Sequence, residues 1–229
     1  MPAIDVDVLY RDADVLAVNK PSGLLTHRGW ANDADNALVR ARGIAGQYVY
    51  PVHRLDRATS GVLLFALSRE SAALLGRQLQ AGGFEKHYLA LVRGIIPEQV
   101  EVDHPLAREP GQERKPARTS VRRVGTFERY SLVDAAPHTG RPHQVRRHLK
   151  HSSHPILGDT RYGNGEHNRA CRARFSLHRL ALHAARLSFS HPSTGQRIEV
   201  RAALPLDLAL PLEAMSLREL ADAAIATDR

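Results

Sequence analysis

Apolar and polar positions divide the chain into short segments of two kinds. Residues 4–10 (IDVDVLY) alternate like the edge of a strand, and residues 14–23 (DVLAVNKPSG) form a second strand ending in a Pro-Ser-Gly turn. The run 62–67 (VLLFAL) has no polar position and reads as a buried strand. Residues 33–42 predict a short helix. Residues 69–80 (RESAALLGRQLQ) have helical spacing that stops at Gly82 and Gly83. Residues 87–94 read as a strand, whereas 107–120 are polar, carry charges of both signs, and read as a loop or hairpin tip.

Further on, residues 127–137 alternate as a strand. Residues 141–153 predict a helix with Pro142 in its first turn, and 154–163 a loop. The strands 180–190 and 197–204 form a hairpin through the turn 191–196, and 206–226 is apolar at helical spacing. Strands and helices are mixed without regular alternation. The expected fold is therefore α+β, with a mixed, largely antiparallel central sheet flanked by helices and loops. No repeat and no linker interrupts the pattern, so one domain over residues 1–229 is expected, with its core at about 8–204.

Composition narrows the class. An apolar fraction of 43% over 229 residues suits a folded protein with a substantial core. The net charge of +8 points to a polyanionic partner, nucleic acid before an anionic membrane surface. Arginine outnumbers lysine 28 to 4, and arginine is the better shaped for bidentate phosphate contacts. The single cysteine, Cys171, excludes an internal disulfide framework and a cysteine-based zinc site. No apolar run approaches the ~18 residues of a membrane span. The N-terminus lacks a signal-peptide pattern, so a cytoplasmic protein is expected.

Two clusters carry candidate chemistry. The first, residues 53–61 (HRLDRATSG), sets Arg54, Asp56 and Arg57 directly against the apolar run. Arginines near Asp56 would favour its ionised form, and such a carboxylate acts as a nucleophile or base toward an electrophilic carbon. On spacing alone the better reading is a surface salt bridge on a capped turn. The second, residues 138–155, holds three arginines, a lysine and five histidines, and reads either as a basic helix meeting phosphates or as a solvated basic face. A metal reading through His143, His148, His151 and His154 fails on spacing and on the lack of a carboxylate among them. Tyr88 is either a core aromatic or a ring that stacks on an extruded base. Lys20 is either a strand-end lysine or a phosphate contact. Glycine-loop, GxSxG and HExxH motifs are missing from the sequence.

Taken in order, the segments 19–27 (NKPSGLLTH), 53–66, 86–94 (KHYLALVRG), 139–149 (TGRPHQVRRHL), 155–163 (PILGDTRYG) and 182–192 resemble the RluA-type pseudouridine synthases. The resemblance runs from about Val8 to Arg201. Residues 28–30 (RGW) and 167–169 (HNR) bring it nearest to the tRNA uridine-65 synthases. It implies that an RNA uridine is cut at its N1 glycosidic bond, rotated, and rejoined through C5, with no cofactor and no metal. Some members carry an accessory RNA-binding domain ahead of the first motif; with only about seven residues before Val8, none is expected here, and a monomer is expected.

By the same resemblance Asp56 is the catalytic aspartate, attacking C1′ of the ribose or removing the 2′ proton. Arg146 pairs with it. Tyr88 stacks on the target base and assists proton removal at C5, while Arg54 fills the gap left by the flipped uridine. Lys20, Thr59, Lys86, Arg141, His143, Gln144 and Leu182 line the RNA or the substrate. The target lies inside a paired stem, so the base must be extruded at a cost of about a few kcal/mol, offset by phosphate contacts. A synthase for 23S ribosomal RNA, or for both RNAs, is the runner-up. A catalytically silent RNA-binding or RNA-folding protein is the alternative from another class.

Overall fold

A computed structural model describes residues 6–27, 35–109 and 111–227. The 28–30 segment and the first residues of the helix expected at 33–42 lie outside them. In chain order the elements begin β1 (Asp7–Arg11), β2 (Val15–Lys20), α1 (Ala37–Ala45), β3 (Tyr50–Pro51), β4 (Ser60–Ala66), α2 (Arg69–Gln80) and β5 (Glu85–Arg93). They continue β6 (Gln99–Asp103), β7 (Leu106–Ala107), β8 (Arg114–Lys115), β9 (Arg118–Phe127), β10 (Tyr130–Pro137), α3 (Gln144–His151) and α4 (Gly165–Phe175). The chain ends in β11 (Leu182–Ser190), β12 (Arg197–Arg201), α5 (Leu206–Ala214) and α6 (Arg218–Ala226). The irregular mixture is of the expected α+β class. Among the described residues no helix is long and apolar enough to cross a membrane.

The contacts gather the chain into two compact units, one of residues 1–85 with 184–202 and one of residues 86–183 with 203–229. In the first, β2 pairs antiparallel with β1 on one side and β4 on the other, from Val15↔Ala66 to Lys20↔Gly61. All seven residues of β4 are buried, which explains its unbroken apolar run. Val15, Ala17, Val62, Leu64 and Ala66 pack with Leu75, Phe84, Leu187, Phe189 and Val200 as the core of this unit. Helix α2 starts because the Ser68 hydroxyl accepts from the Ser71 amide, and after Ala81 the left-handed Gly82 turns the chain away.

One corner of this unit is tied by carboxylates. Asp12 accepts from the amides of Asp14 and Val15, from the Tyr10 hydroxyl, and from Nε2 of His191 at 2.9 Å. The hydroxyls of Ser71 and Ser193 each donate to Asp14 at 2.6 Å. Nδ1 of His191 accepts from the amides of Ser193 and Thr194, which leaves the ring proton on Nε2. The β1–β2 turn, the start of α2 and the β11–β12 turn thus meet at one knot.

In the second unit β10 pairs antiparallel with β5 and β9, and β9 pairs with β6. Residues expected as the strand 127–137 are the far half of this long β9–β10 hairpin. The 107–120 stretch divides into the small β7–β8 hairpin and the start of β9. Its polar character follows from exposure of the hairpin. The tail read as one helical stretch breaks into α5 and α6 at Met215, left-handed Ser216 and Leu217. Leu217, the N-cap of α6, and Leu220 within it lay their side chains against Gly125 of β9, where a Cβ would have to push the Leu220 methyl aside. Helix α4 and strand β6 were not expected from the pattern.

Two outcomes test these contacts. A Cβ on Gly61, whose φ is +113°, would lie 2.1 Å from the Ala184 carbonyl oxygen. Gly61→Ala is therefore expected to cost at least about 2 kcal/mol in urea unfolding. Hydrogen bonds from Ser193 and Ser71 hold the Asp14 carboxyl below its ordinary pKa. A lowered folded value stabilises the protein above the unfolded value of about 4, and that contribution fades as pH falls through the folded one. Asp14→Asn should cost about 1 kcal/mol at pH 7, with the gap to wild type shrinking toward pH 3 in urea unfolding.

Candidate active site

The loop that carries Asp56 is laced to residues 20–26 by main-chain and side-chain bonds within the first unit. The Gly23 amide donates to the Arg57 carbonyl at 2.8 Å, and Arg57 Nε returns a bond to the Gly23 carbonyl at 2.9 Å. The Ser22 hydroxyl donates to the Ala58 carbonyl. The Thr26 hydroxyl donates to the Leu55 carbonyl and accepts from the Leu55 amide. Behind the loop, Nε2 of His53 accepts from the Leu64 amide of β4. Asp56 is half-buried between buried Leu55 and exposed Arg57, and Arg54 is exposed.

Lys20 corrects an expectation. Its side chain is 0% exposed, and Nζ donates to the carbonyls of Pro21, Leu24 and Arg57 at 2.8, 2.8 and 3.2 Å. An ammonium has three hydrogens, and three carbonyls receive them. Lys20 braces the lacing from beneath and does not present its charge to a phosphate. Thr59 is likewise buried, and its amide closes the turn onto the Asp56 carbonyl at 3.0 Å, so it shapes the loop. These three expected residues, Lys20, Asp56 and Thr59, are therefore brought into one braced turn.

The second unit builds a caged arginine. Arg146 of α3 is 9% exposed. Its Nε and one terminal nitrogen donate to the two oxygens of Asp159 at 2.8 and 3.0 Å, a bidentate fork. The Tyr162 ring stands 5.1 Å from the guanidinium carbon, and the Tyr162 hydroxyl bonds Nδ1 of His143 at 3.0 Å. Burial pushes the Asp159 carboxyl up, but the Arg146 fork and the Tyr162 and Arg161 amides outweigh it and hold it below the ordinary range. Just before Asp159, Gly158 is left-handed and packs on the Arg179 main chain, where a Cβ would meet the Arg179 carbonyl oxygen at 1.8 Å.

Helix α3 itself starts at Gln144, two residues after Pro142, so the proline precedes the helix and does not lie within it. His143 takes the left-handed N-cap position. The Gln144 side chain is buried. Its oxygen accepts from the Thr139 hydroxyl and the Arg141 amide, and its nitrogen donates to the Arg118 carbonyl and the Thr119 hydroxyl. With both halves of the amide engaged, Gln144 holds the helix start to β9, and the expectation that it touches RNA is corrected. Arg141 Nε donates to the Pro116 carbonyl, and Arg147 donates to the Ala107 carbonyl, so these two arginines grip both legs of the β7–β8 region.

The remaining expected residues fall as follows. Lys86 and Tyr88 are half-buried on one face of β5, with Tyr88 opposite Ala135, and burial lowers the Lys86 pKa. Leu182 is buried at the start of β11. His148 uses Nδ1 on the Thr119 hydroxyl and Nε2 on the His104 carbonyl, and burial lowers its pKa, so it is a neutral structural histidine. Among the described residues no three His, Cys, Asp or Glu side chains converge where a metal ion could sit. Asp159 and Tyr162 were missed. Their signal was the segment 155–163, whose single acid follows a glycine that the turn requires.

The comparisons with known proteins bear on the same segments. The RNA pseudouridylate synthase family matches residues 14–151. A protein of Haemophilus ducreyi named tRNA pseudouridine synthase C is 43% identical, over 88% of this chain and 92% of that one. A protein of the same name from Pasteurella multocida is 44% identical, over 86% and 90%. Among solved structures, human RNA Pseudouridylate Synthase Domain Containing 1 superposes with a TM-score of 0.74 at 27% identity, covering 97% of this chain and 95% of that one. Human RNA Pseudouridylate Synthase Domain Containing 4 shares the fold, with a TM-score of 0.77 at 23% identity over 91% and 92% of the two chains. With a family match over more than half its length and such identity to whole relatives, the chain belongs to the RNA pseudouridylate synthase family, and it is an isomerase.

Proposed function

We propose that the substrate is tRNA and that the modified base is uridine 65. The observation that carries the tRNA reading is the identity of 43% and 44% to relatives named tRNA pseudouridine synthase C. Position 65 rests on the likeness of residues 28–30 and 167–169 to synthases of that site, the second of these lying in α4.

Asp56 acts on the ribose, either attacking C1′ or removing the 2′ proton. The N1–C1′ bond breaks, the uracil turns, C5 bonds to C1′, and the C5 proton leaves as N1 regains one. The braced turn suits this task because a nucleophile held by main-chain bonds loses little freedom on reaching the transition state. Arg146 takes part in the reaction, and the Asp159 fork orients its guanidinium. Tyr88 stacks on the extruded uracil and assists at C5, and Arg54 enters the vacated stack.

Purified protein incubated with unmodified tRNA transcript and, separately, with 23S rRNA fragments tests the assignment by pseudouridine mapping. Pseudouridine at position 65 of tRNA is expected from wild type and none from Asp56→Asn, with unchanged melting. Product in rRNA alone would move the substrate to the ribosome. RNA binding without product would leave a silent binder. Asp159→Asn removes the charge that pairs with Arg146 inside the protein. It should lower stability by about 3 kcal/mol in urea unfolding and slow single-turnover modification by about a hundredfold.

A further inference from the structure

The face of the sheet turned away from Tyr88 carries a hydrogen-bonded histidine and carboxylate that the chemistry above does not use. We infer that His87 and Asp134 form a positioning pair that sets the angle and register of Tyr88, an inference that rests on the reading of Tyr88 as the residue stacked on the target base. Along β5, alternation sends Lys86 and Tyr88 to one face and His87 to the other. There Nδ1 of His87 lies 3.0 and 3.2 Å from the two oxygens of Asp134, which is 4% exposed. A carboxylate accepts, so Nδ1 carries the hydrogen. Arg122 of β9 is the register partner of Asp134 and brings a terminal nitrogen to 3.9 Å.

The carboxylate on β10 is thus held from the strands on both sides. The next residue of β10, Ala135, is the register partner of Tyr88. A slip of one residue would carry Tyr88 to the wrong face and leave a buried carboxylate without its histidine. The pair also borders a cavity of about 220 Å³ lined in part by Gln99, Glu101, Ser120 and Arg122.

The test is single-turnover pseudouridine formation on unmodified tRNA by His87→Ala, His87→Gln and Tyr88→Ala, and by each histidine variant combined with Tyr88→Ala. If His87 acts through Tyr88, His87→Ala slows the bond-making step about tenfold with KM within about twofold. His87→Gln keeps an N–H donor for Asp134 and should recover most of the rate. In the Tyr88→Ala background, adding His87→Ala should cost less than about twofold, because the two substitutions remove one function. A tenfold loss that persists in that background, or a wild-type rate for His87→Ala, overturns the inference. Should His87→Ala not fold, Asp134→Asn makes the same comparison against the same outcomes. A wild-type rate for Tyr88→Ala would instead count against the reading of Tyr88, whatever His87 does.

Discussion

An ammonium buried away from water is costly unless its hydrogens find acceptors, and Lys20 satisfies that condition in a way that shapes the candidate site. Its three acceptors are carbonyls of the chain at Pro21, Leu24 and Arg57. The charge therefore joins the turn after β2 to the loop that carries Asp56. Removing it would take a donor from all three, leaving the Arg57 carbonyl with the Gly23 amide. The Gly23, Ser22 and Thr26 bonds then align the two loops residue by residue. A half-buried carboxylate on such a loop has a defined place even though it lies outside any helix or strand.

The second unit solves a similar problem with a different cation. Arg146 is held by two parallel bonds to Asp159, and its remaining surface meets the Tyr162 ring. Lysine could not copy this, because a point charge lacks the fork that engages both oxygens at once. The strong preference of the chain for arginine, which on composition alone suggested only a polyanionic partner, thus has a structural use in its interior as well.

Much of this was legible in the sequence, for reasons that differ from place to place. The strand at 62–67 was plain because both of its faces are buried, and α2 because a serine cap and a glycine stop bracket it. Helix α4 was not, since its sequence GEHNRACRARF buries only Cys171 and Phe175 and carries no clear stripe. The tail looked continuous because Met215 and Leu217 are buried like the helical residues around them, while the break is a left-handed serine that hydropathy does not mark. At the site, motif order singled out Asp56, Tyr88 and Arg146. It could not tell that Lys20 and Gln144 point inward, because a polar residue bonding to backbone and one bonding to a ligand are written with the same letters.

The two arginines that brace the β7–β8 hairpin grip main-chain carbonyls, at Ala107 on one leg and Pro116 on the other. Neither bond involves a side chain of the hairpin tip. The brace is therefore indifferent to the side chains of the tip, because both of its bonds end on main-chain oxygens. A scaffold of that kind separates the hardware that holds a finger from the print on the fingertip, and lets one vary while the other stays.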